Sequence, residues 1–469
     1  MEHALQVEIL KELMSQLDED RNVDAGVQYK MPTSSYVCPE QAKREQEEFF
    51  QNHPQLIGLS SDLPEHGSFF TMDDFGTPLL ATRDTEGTFH AFLNACRHRS
   101  VRVASEERGK KSVFMCPFHN WSYANTGDLV SIPNEEHFGV IDKSCRGLLE
   151  LPAVERHGML WVHPRVDGHL DVREVLGAEL DDELGSFVMD QHQFLGTKTI
   201  DMQLNWKFAN DTFGETYHFG KLHKNTLGQL YYGNNLHFEL FGRHHRFVTA
   251  NRGIDVMREM PEEDWRIEHG TFVLYHLFPN IQLLTSNGAT TLIRIYPHAD
   301  GANRSVTQVS FYFQQALIDA GKDRDSEFDS SKVYDPNAQQ ERVANLESNL
   351  EVFHSTIEME DYVMGEMQQK AAKLDKKYQV QKRFPFSIYV GIATGYAKVG
   401  NIGPPEKMDY TVIGSVVNRA ARLDSAGESG DILIDEDTYF FVKDDYDIED
   451  FGTHSLKGFE KPVQIYRLK

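Results

Sequence analysis

One segment, NACRHRSVRVASEERGKKSVFMCPFHNW at residues 94–121, limits what this chain can be more than any other. It carries two of the four cysteines, Cys96 and Cys116, and each has a histidine close behind it, His98 and His119. The pattern is C-x-H, seventeen residues, then C-x-x-H. Structural zinc modules usually pair cysteine with cysteine and histidine with histidine, so each arm is homogeneous. Here each arm is mixed. Two thiolates on one iron and two imidazoles on the other hold one class of [2Fe–2S] cluster. Neutral imidazole donates less charge than thiolate, so the reduction potential of such a cluster is raised. Cys96 and Cys116 are therefore expected on one iron, and His98 and His119 on the other. Cys38 and Cys145 have no such company and read as ordinary thiols.

The chain has 469 residues. A single core seldom grows beyond about 250–300 residues, so more than one domain is expected. The formal net charge of −25 repels phosphate backbones and anionic lipid, which argues against nucleic acid or a membrane as partner. Four cysteines are too few for a disulfide scaffold, and cysteine beside histidine reads as metal binding in a reducing compartment. The first residues, MEHALQVEILKELMSQLDEDRNVDAG, lack the basic start, apolar core and cleavage site of a leader. No apolar run approaches the ~18–20 residues of a membrane span. A cytoplasmic protein is expected.

Ile9, Leu10, Leu13, Met14 and Leu17 recur at helical spacing and predict one amphipathic helix, followed by an extended linker. Domain boundaries are read at 1–45 for helix and linker, 46–165 for a small antiparallel β domain, 166–375 for a second domain and 384–469 for a third. Short strands with turn punctuation (GTPLLATRD, GTFHAFLNACRH, HGMLWVHP) define the β domain. An acidic helical stretch, LDVREVLGAELDDELGSF, comes next. Strand-like segments then return from Thr197 to about Ile318, interrupted by a helical block carrying Asp211 to His223. Residues 319–340 read as a polar surface loop, and 340–379 as a long helix.

A second constellation lies in NWKFANDTFGETYHFGKLH, residues 205–223, where His218 and His223 stand five apart. On a helical segment that spacing brings both imidazoles to neighbouring faces. Two histidines and a carboxylate on one side of a ferrous ion leave the other positions open for O2 and substrate.

Together with the two mixed arms and the Gly127-Asp-Leu that follows them, this stretch resembles the catalytic alpha subunits of the Rieske non-haem iron oxygenases. The resemblance runs from near the N-terminus to about residue 370. It implies that His218 and His223 bind a mononuclear Fe(II). It implies a third ligand roughly 140–150 residues further on, which here is Asp361 in IEMEDYVMGEMQQ. It further implies that Glu215 bridges His218 to a cluster histidine, His119, of a neighbouring subunit. A carboxylate accepting one ring N–H from each imidazole fixes both tautomers and offers an electron route. The implied partners are a small organic substrate, O2, and a separate reductase or ferredoxin drawing electrons from NAD(P)H. The implied assembly is a ring-shaped homo-oligomer, a trimer. TFGETYHFGKLH and YHLFPNIQLL resemble the branch of choline- and carnitine-type monooxygenases and related ring hydroxylases. The substrate pocket is expected between about Leu227 and Ile293. The run QLYYGNNLHFELFGRHHRF is readable as pocket lining or as strand core.

The tail is different. YTVIG from Tyr410, VNRAARL from Val417 and LKG from Leu456 resemble the C-terminal half of a class III nucleotide cyclase domain. That resemblance implies that Thr411 contacts a purine edge, that Asn418 and Arg422 stabilise the transition state, and that Lys457 meets the triphosphate. The metal-binding aspartates of such a domain have no counterpart here, so cyclase activity is not expected from this chain alone. Missing strands are expected to leave an apolar sheet edge.

The expected fold is α+β: a small antiparallel β Rieske domain, a helix-grip-like α/β catalytic domain and a partial α/β cyclase-like segment. The expected function is insertion of oxygen from O2 into an organic substrate. The alternatives are a redox-linked cyclase-type signalling protein and a nucleotide-binding protein that uses the tail.

Overall fold

Alternation of apolar and polar residues sorts the first part of the chain into three small antiparallel sheets. β2 (Ser68–Met72), β3 (Leu79–Arg83), β4 (Phe89–Leu93) and β5 (Arg108–Lys110) form one sheet in the order β4-β3-β2-β5. β6 (Val113–Met115), β7 (Ser122–Ala124) and β8 (Leu129–Ser131) form a second. β1 (Gln55–Leu59) pairs with β10 (Met159–Val162), which pairs with β9 (Ala153–Arg156). Phe69, Phe92, Phe114, Trp121 and Tyr123 pack with Cys96 and Cys116 in one buried cluster. The two thiols thus sit at the edge of a core rather than on a free loop. The computed structural model describes residues 1–21, 31–286, 288–314 and 353–380, most of 431–468, and short stretches between 390 and 426. The loop expected at 319–340 and the helical pattern at 340–352 lie outside the described residues.

The second sheet system has seven antiparallel strands: β11 (His192–Met202), β12 (Tyr231–Phe241), β13 (His244–Asn251), β14 (Thr271–Leu277), β15 (Ile281–Ser286), β16 (Ala289–Pro297) and β17 (Ser305–Gln314). Their order is β11-β17-β16-β15-β14-β13-β12. One face packs Val248, Val273, Tyr275 and Leu283 against the N-terminal helix and the Val172–Leu184 helices. The other packs Ile293, Ile295, Val309 and Phe311 against Trp206, Ile357 and Tyr362. The chain is α+β, with the small β domain and the larger helix-on-sheet domain expected from its motifs.

The N-terminal helix spans His3–Asp18 and buries Ile9, Leu10, Leu13 and Met14, the stripe its periodicity predicts. It also covers an edge strand. The Gln16 amide donates to the Leu236 carbonyl at 2.9 Å and accepts the Leu236 N–H at 3.2 Å, replacing the strand β12 lacks on that side.

The linker expected before residue 45 is not extended. Ser34–Val37 and Pro39–Glu45 are helical and Gln46–Gln51 is a π-turn. Pro39 stands at the first helical position, Glu40 in the first turn, and Lys43 and Arg44 in the last, which is a helix signature. The segment is held down by contacts distant in sequence. Tyr36 stacks on Phe208 with centroids 3.9 Å apart and donates to Asp211 Oδ2 at 2.8 Å. Glu45 accepts the Trp206 indole N–H at 3.0 Å.

The chain divides into two units, Met1–Lys376 and Lys377–Lys469. In the second, β18 (Val390–Ile392), β21 (Ile432–Asp435), β23 (Val463–Leu468) and β22 (Ile448–His454) form a sheet in that order, leaving β18 and β22 as its edges. β19 (Lys398–Ile402) and β20 (Asp409–Ile413) form a separate hairpin. Leu423, Leu433, Leu456 and Ile465 make its described core.

Candidate functional site

The two cysteine–histidine loops are built on one hydrogen-bond plan. In the first, after β4, Cys96 N donates to Val101 O at 2.8 Å and Ser100 N donates to Cys96 O at 2.8 Å. In the second, between β6 and β7, Cys116 N donates to Trp121 O at 2.9 Å and Asn120 N donates to Cys116 O at 2.9 Å. Ser100 and Asn120 take left-handed conformations, φ 59° and 57°, which close each loop. The loops are thus local equivalents and present like groups to one another. The rings of His98 and His119 lie 4.7 Å apart, and His98 stacks on Trp121 at 5.1 Å.

The donor chemistry fits a cluster. His98 Nδ1 is buried without a hydrogen-bond partner. Desolvation, with His119 and Arg99 nearby, lowers the His98 pKa and favours the neutral ring that a metal takes. Burial, with Cys96 beside it, raises the Cys116 pKa, so an apolar pocket without a cation disfavours a bare thiolate. The Tyr123 hydroxyl lies 3.2 Å from Cys96 Sγ and accepts the Arg97 N–H at 3.0 Å. His119 stands exposed at the tip with its ring 3.8 Å from that of Phe118, and Met115, Phe118 and Phe138 are exposed as well. Cys38 is half-buried and Cys145 exposed.

The second site is assembled from two segments. Trp206–Asp211 is helical, capped by Asn205, whose side chain accepts from Lys207 N at 2.9 Å. The helical block expected through His223 stops there. Residues 212–226 form a run of turns, and that irregular path turns both imidazoles inward from positions five apart. Asp361 closes a π-turn, Ile357–Asp361, that leads into the Tyr362–Val380 helix. The two segments are tied together where Asn205 N donates to Gln369 Oε1 at 2.8 Å.

His218, His223 and Asp361 offer three ligand atoms within 4.8 Å of one another. His218 Nε2 and His223 Nε2 are 3.1 Å apart, His223 Nε2 and Asp361 Oδ1 3.1 Å, and His218 Nε2 and Asp361 Oδ1 3.5 Å. Ligands at right angles on a small octahedral ion, with bonds of roughly 2.1 Å, stand roughly 3.0 Å apart. The triangle therefore has the size of one face of such an ion. Asp361 Oδ1 is buried and makes no hydrogen bond despite these approaches, as suits an oxygen kept for a metal. The residues fit a two-histidine, one-carboxylate iron site.

The far side of each ring is anchored. His218 Nδ1 meets Glu215 Oε1 at 2.5 Å, and His223 Nδ1 meets Glu360 Oε2 at 2.6 Å. Each carboxylate holds the hydrogen on Nδ1 and leaves Nε2 free for metal. With protons in place of metal, desolvation opposes charge on His218, but Asp361 and Glu215 outweigh it and raise the ring to about 9. Desolvation likewise opposes charge on His223, and Asp361 and Glu360 raise it. Burial pushes Glu215 upward, and His218 more than reverses this. Glu360 was invisible as a functional residue because it reads as one more acid on a charged helix. The signal is its adjacency to Asp361 inside a π-turn, a feature often found at functional sites.

In the tail, Arg422 and Lys457 are exposed. Thr411 lies on β20 opposite Gly400. Asn418 lies outside the described residues. A cavity of about 640 Å³ lined by His53, Gly177, Arg243 and Phe278 contains none of the metal-site donors.

Comparison with known proteins places names beside this geometry. Residues 53–149 match the family described as Rieske [2Fe-2S] domain, and residues 189–387 match Ring hydroxylating alpha subunit (catalytic domain). Residues 349–469 match Adenylate and Guanylate cyclase catalytic domain, a span that begins earlier than the 384 read from sequence and overlaps the Asp361 segment. The chain is 28% identical over 207 residues to a glycine betaine monooxygenase oxygenase subunit of Chromohalobacter salexigens, covering 43% of this chain and 45% of that protein. It is 28% identical over 214 residues to an anthranilate 1,2-dioxygenase large subunit of Acinetobacter baylyi, covering 42% and 43%. The matches therefore span less than half the length of these relatives. The structure of a quaternary ammonium Rieske monooxygenase aligns with a TM-score of 0.60 at 18% identity over 74% of this chain and 86% of that one, a likeness of fold.

Proposed function

We propose that the chain acts as an alpha subunit of the Rieske-type non-haem iron oxygenases and inserts oxygen from O2 into a small organic substrate, with electrons reaching it from an NAD(P)H-linked reductase or ferredoxin; the matches to a Rieske [2Fe-2S] domain and to a ring-hydroxylating catalytic domain support this reading. The observation that carries this reading is the triangle of His218 Nε2, His223 Nε2 and Asp361 Oδ1, with sides of 3.1, 3.1 and 3.5 Å. When bound, the ferrous ion supplies O2 activation and the cluster supplies single electrons.

The chain's own groups do the rest. Cys96, His98, Cys116 and His119 hold the cluster. His218, His223 and Asp361 would hold the iron. Glu215 and Glu360 fix the two imidazole tautomers from behind. Phe219, packed against His218 and His223, keeps water from one side of the site.

In our reading the cluster of one subunit serves the iron of the next, in a ring-shaped homo-oligomer, a trimer. The exposed His119, beside Phe118, is suited to face a partner's Glu215, whose side chain is also exposed. Glu215, which already holds His218 Nδ1, would then link His119 of one subunit to His218 of the next. Within that family we read the protein as near the choline- and carnitine-type branch, a reading that the TFGETYHFGKLH motif supports. No described helix is long and apolar enough to cross a membrane, and we assign the protein to the cytoplasm. The domain limits we propose remain 46–165 for the cluster domain and 166–375 for the iron domain.

The test is turnover of iron-loaded protein with a reductase, NADH and ¹⁸O2 across a panel of amines and arenes. Label in the product is the expected result. Product whose new oxygen comes wholly from water overturns the reading.

A further inference from the structure

One face of the seven-stranded sheet lies toward the segment that carries His218 and His223. On it, Phe247, Phe272 and Leu274 pack with Phe219. One cross-strand row further along, the chemistry changes. His245 on β13 stands opposite His276 on β14, which stands opposite Gln282 on β15. The two imidazoles stack with centroids 4.9 Å apart and planes 24° from parallel. His276 is 8% exposed and Gln282 2%.

Gln282 Nε2 donates to His276 Nδ1 at 3.0 Å and to Asn210 Oδ1 at 2.9 Å. Asn210 belongs to the helix that leads into the iron-binding turns, so the cluster spans the space between sheet and iron segment. Two polar atoms are left over. Gln282 Oε1 is buried with no hydrogen-bond partner. His276 Nδ1 is an acceptor, so the ring hydrogen sits on Nε2, and no described residue accepts it. Desolvation holds both rings neutral, lowering His245 to about 4 and His276 to about 3. An unpaired buried acceptor such as Gln282 Oε1 is unfavourable unless something fills it, and the ring of His276, already tied to the same amide, offers a donor to the same guest.

We infer that Gln282 and His276 form the recognition end of the substrate site, taking a neutral group that both donates and accepts a hydrogen bond, such as a hydroxyl or carboxamide. This rests on the oxygenase reading above and adds the substrate's polar group to it. The group's hydrogen goes to Gln282 Oε1, and its oxygen accepts from His276 Nε2. The substrate's body then lies against Phe219, Phe247 and Phe272, whose faces accept an aryl ring or a quaternary ammonium group alike. A carboxylate brings no hydrogen for Gln282, and a bare hydrocarbon pairs with neither atom. The stacked His245 keeps the ring of His276 upright and uncharged.

The test measures binding to the iron-loaded protein of two matched pairs: benzyl alcohol against toluene, and choline against ethyltrimethylammonium. Wild-type protein is expected to prefer the hydroxyl member of at least one pair by about tenfold or more. Gln282→Leu and His276→Phe are each expected to reduce that ratio to near unity with mononuclear iron content unchanged. Either variant alone suffices if the other fails to fold. No hydroxyl preference in either pair, or a preference that survives in a folded, iron-loaded variant, overturns the assignment. Iron content is read on the same samples. Wild-type protein that cannot hold the mononuclear iron condemns the oxygenase reading instead, so the two failures are told apart.

Discussion

Replacing Tyr123 by phenylalanine removes a single oxygen from beside the first cluster thiol. That hydroxyl lies 3.2 Å from Cys96 Sγ and already accepts the Arg97 N–H at 3.0 Å. With its acceptor side occupied, its own hydrogen is directed at sulfur. Tyr123 is 0% exposed, so water does not replace the lost bond. An arriving electron adds negative charge to the ligand sulfurs, so the bond is stronger in the reduced state. Hydrogen bonds to charged groups are worth about 1.5–3 kcal/mol, and taking roughly half of that as the redox difference gives ~1 kcal/mol. For a one-electron couple, where a tenfold change is about 59 mV, this lowers the midpoint potential by roughly 40–50 mV. The variant also leaves Arg97 N–H unpaired, at a cost of about 1–3 kcal/mol in stability. That loss moves the melting temperature rather than the potential. The assay is a potentiometric titration of the reduced cluster's paramagnetic resonance signal. A folded variant with a full signal and an unchanged or raised potential refutes the placement of Cys96 as a cluster ligand.

Glu360→Ala frees His223 Nδ1, which Glu360 Oε2 holds at 2.6 Å, and is expected to weaken mononuclear iron binding by about 10- to 100-fold while leaving the cluster intact. Competition with a chelator measures it. Asp181 is fully buried and accepts from Arg156 Nε at 2.6 Å and Arg173 at 2.7 Å. Hydrogen bonds from Arg156, then Arg173, lower its carboxyl from 3.8 to about 2. A depressed folded pKa adds stability that is present in full above the unfolded value and lost as pH falls through the folded one. The gain is about 2 kcal/mol. Urea unfolding of wild type should therefore weaken between about pH 4 and pH 2, and Asp181→Asn should flatten that part of the profile. Gln16→Ala leaves both backbone groups of Leu236 unpaired under the N-terminal helix and is expected to cost about 2–3 kcal/mol in the same assay.

The candidate ligands were legible because metal binding restricts both residue type and spacing. Cys96, His98, Cys116 and His119 can be read without the fold, since each loop is a local hydrogen-bonded turn. Local patterning likewise carried the N-terminal helix and most strands. What sequence did not carry is anything made by contacts distant in the chain. Residues 34–45 read as linker because their partners, Trp206, Phe208 and Asp211, lie more than 150 positions away. His218 and His223 were read onto a helix because their spacing allows one, whereas the chain there folds as turns. Glu360 had no distinguishing residue pattern, since its role depends on a π-turn that places neighbouring acids on opposite edges of one imidazole. The aromatic run from Gln229 to Phe247 was ambiguous for a plain reason. It forms most of two paired strands, whose alternate residues face the N-terminal helix and the iron segment.

The central claim is that this chain holds a paired-iron cluster and, separately, one ferrous ion. Mössbauer spectra of ⁵⁷Fe-reconstituted wild-type protein and of Asp361→Ala test it most directly. The account predicts a spin-coupled iron pair together with a distinct high-spin ferrous signal in wild type, and loss of the ferrous signal alone in the variant. A wild-type spectrum with no coupled pair, or a ferrous signal undiminished in Asp361→Ala, contradicts it.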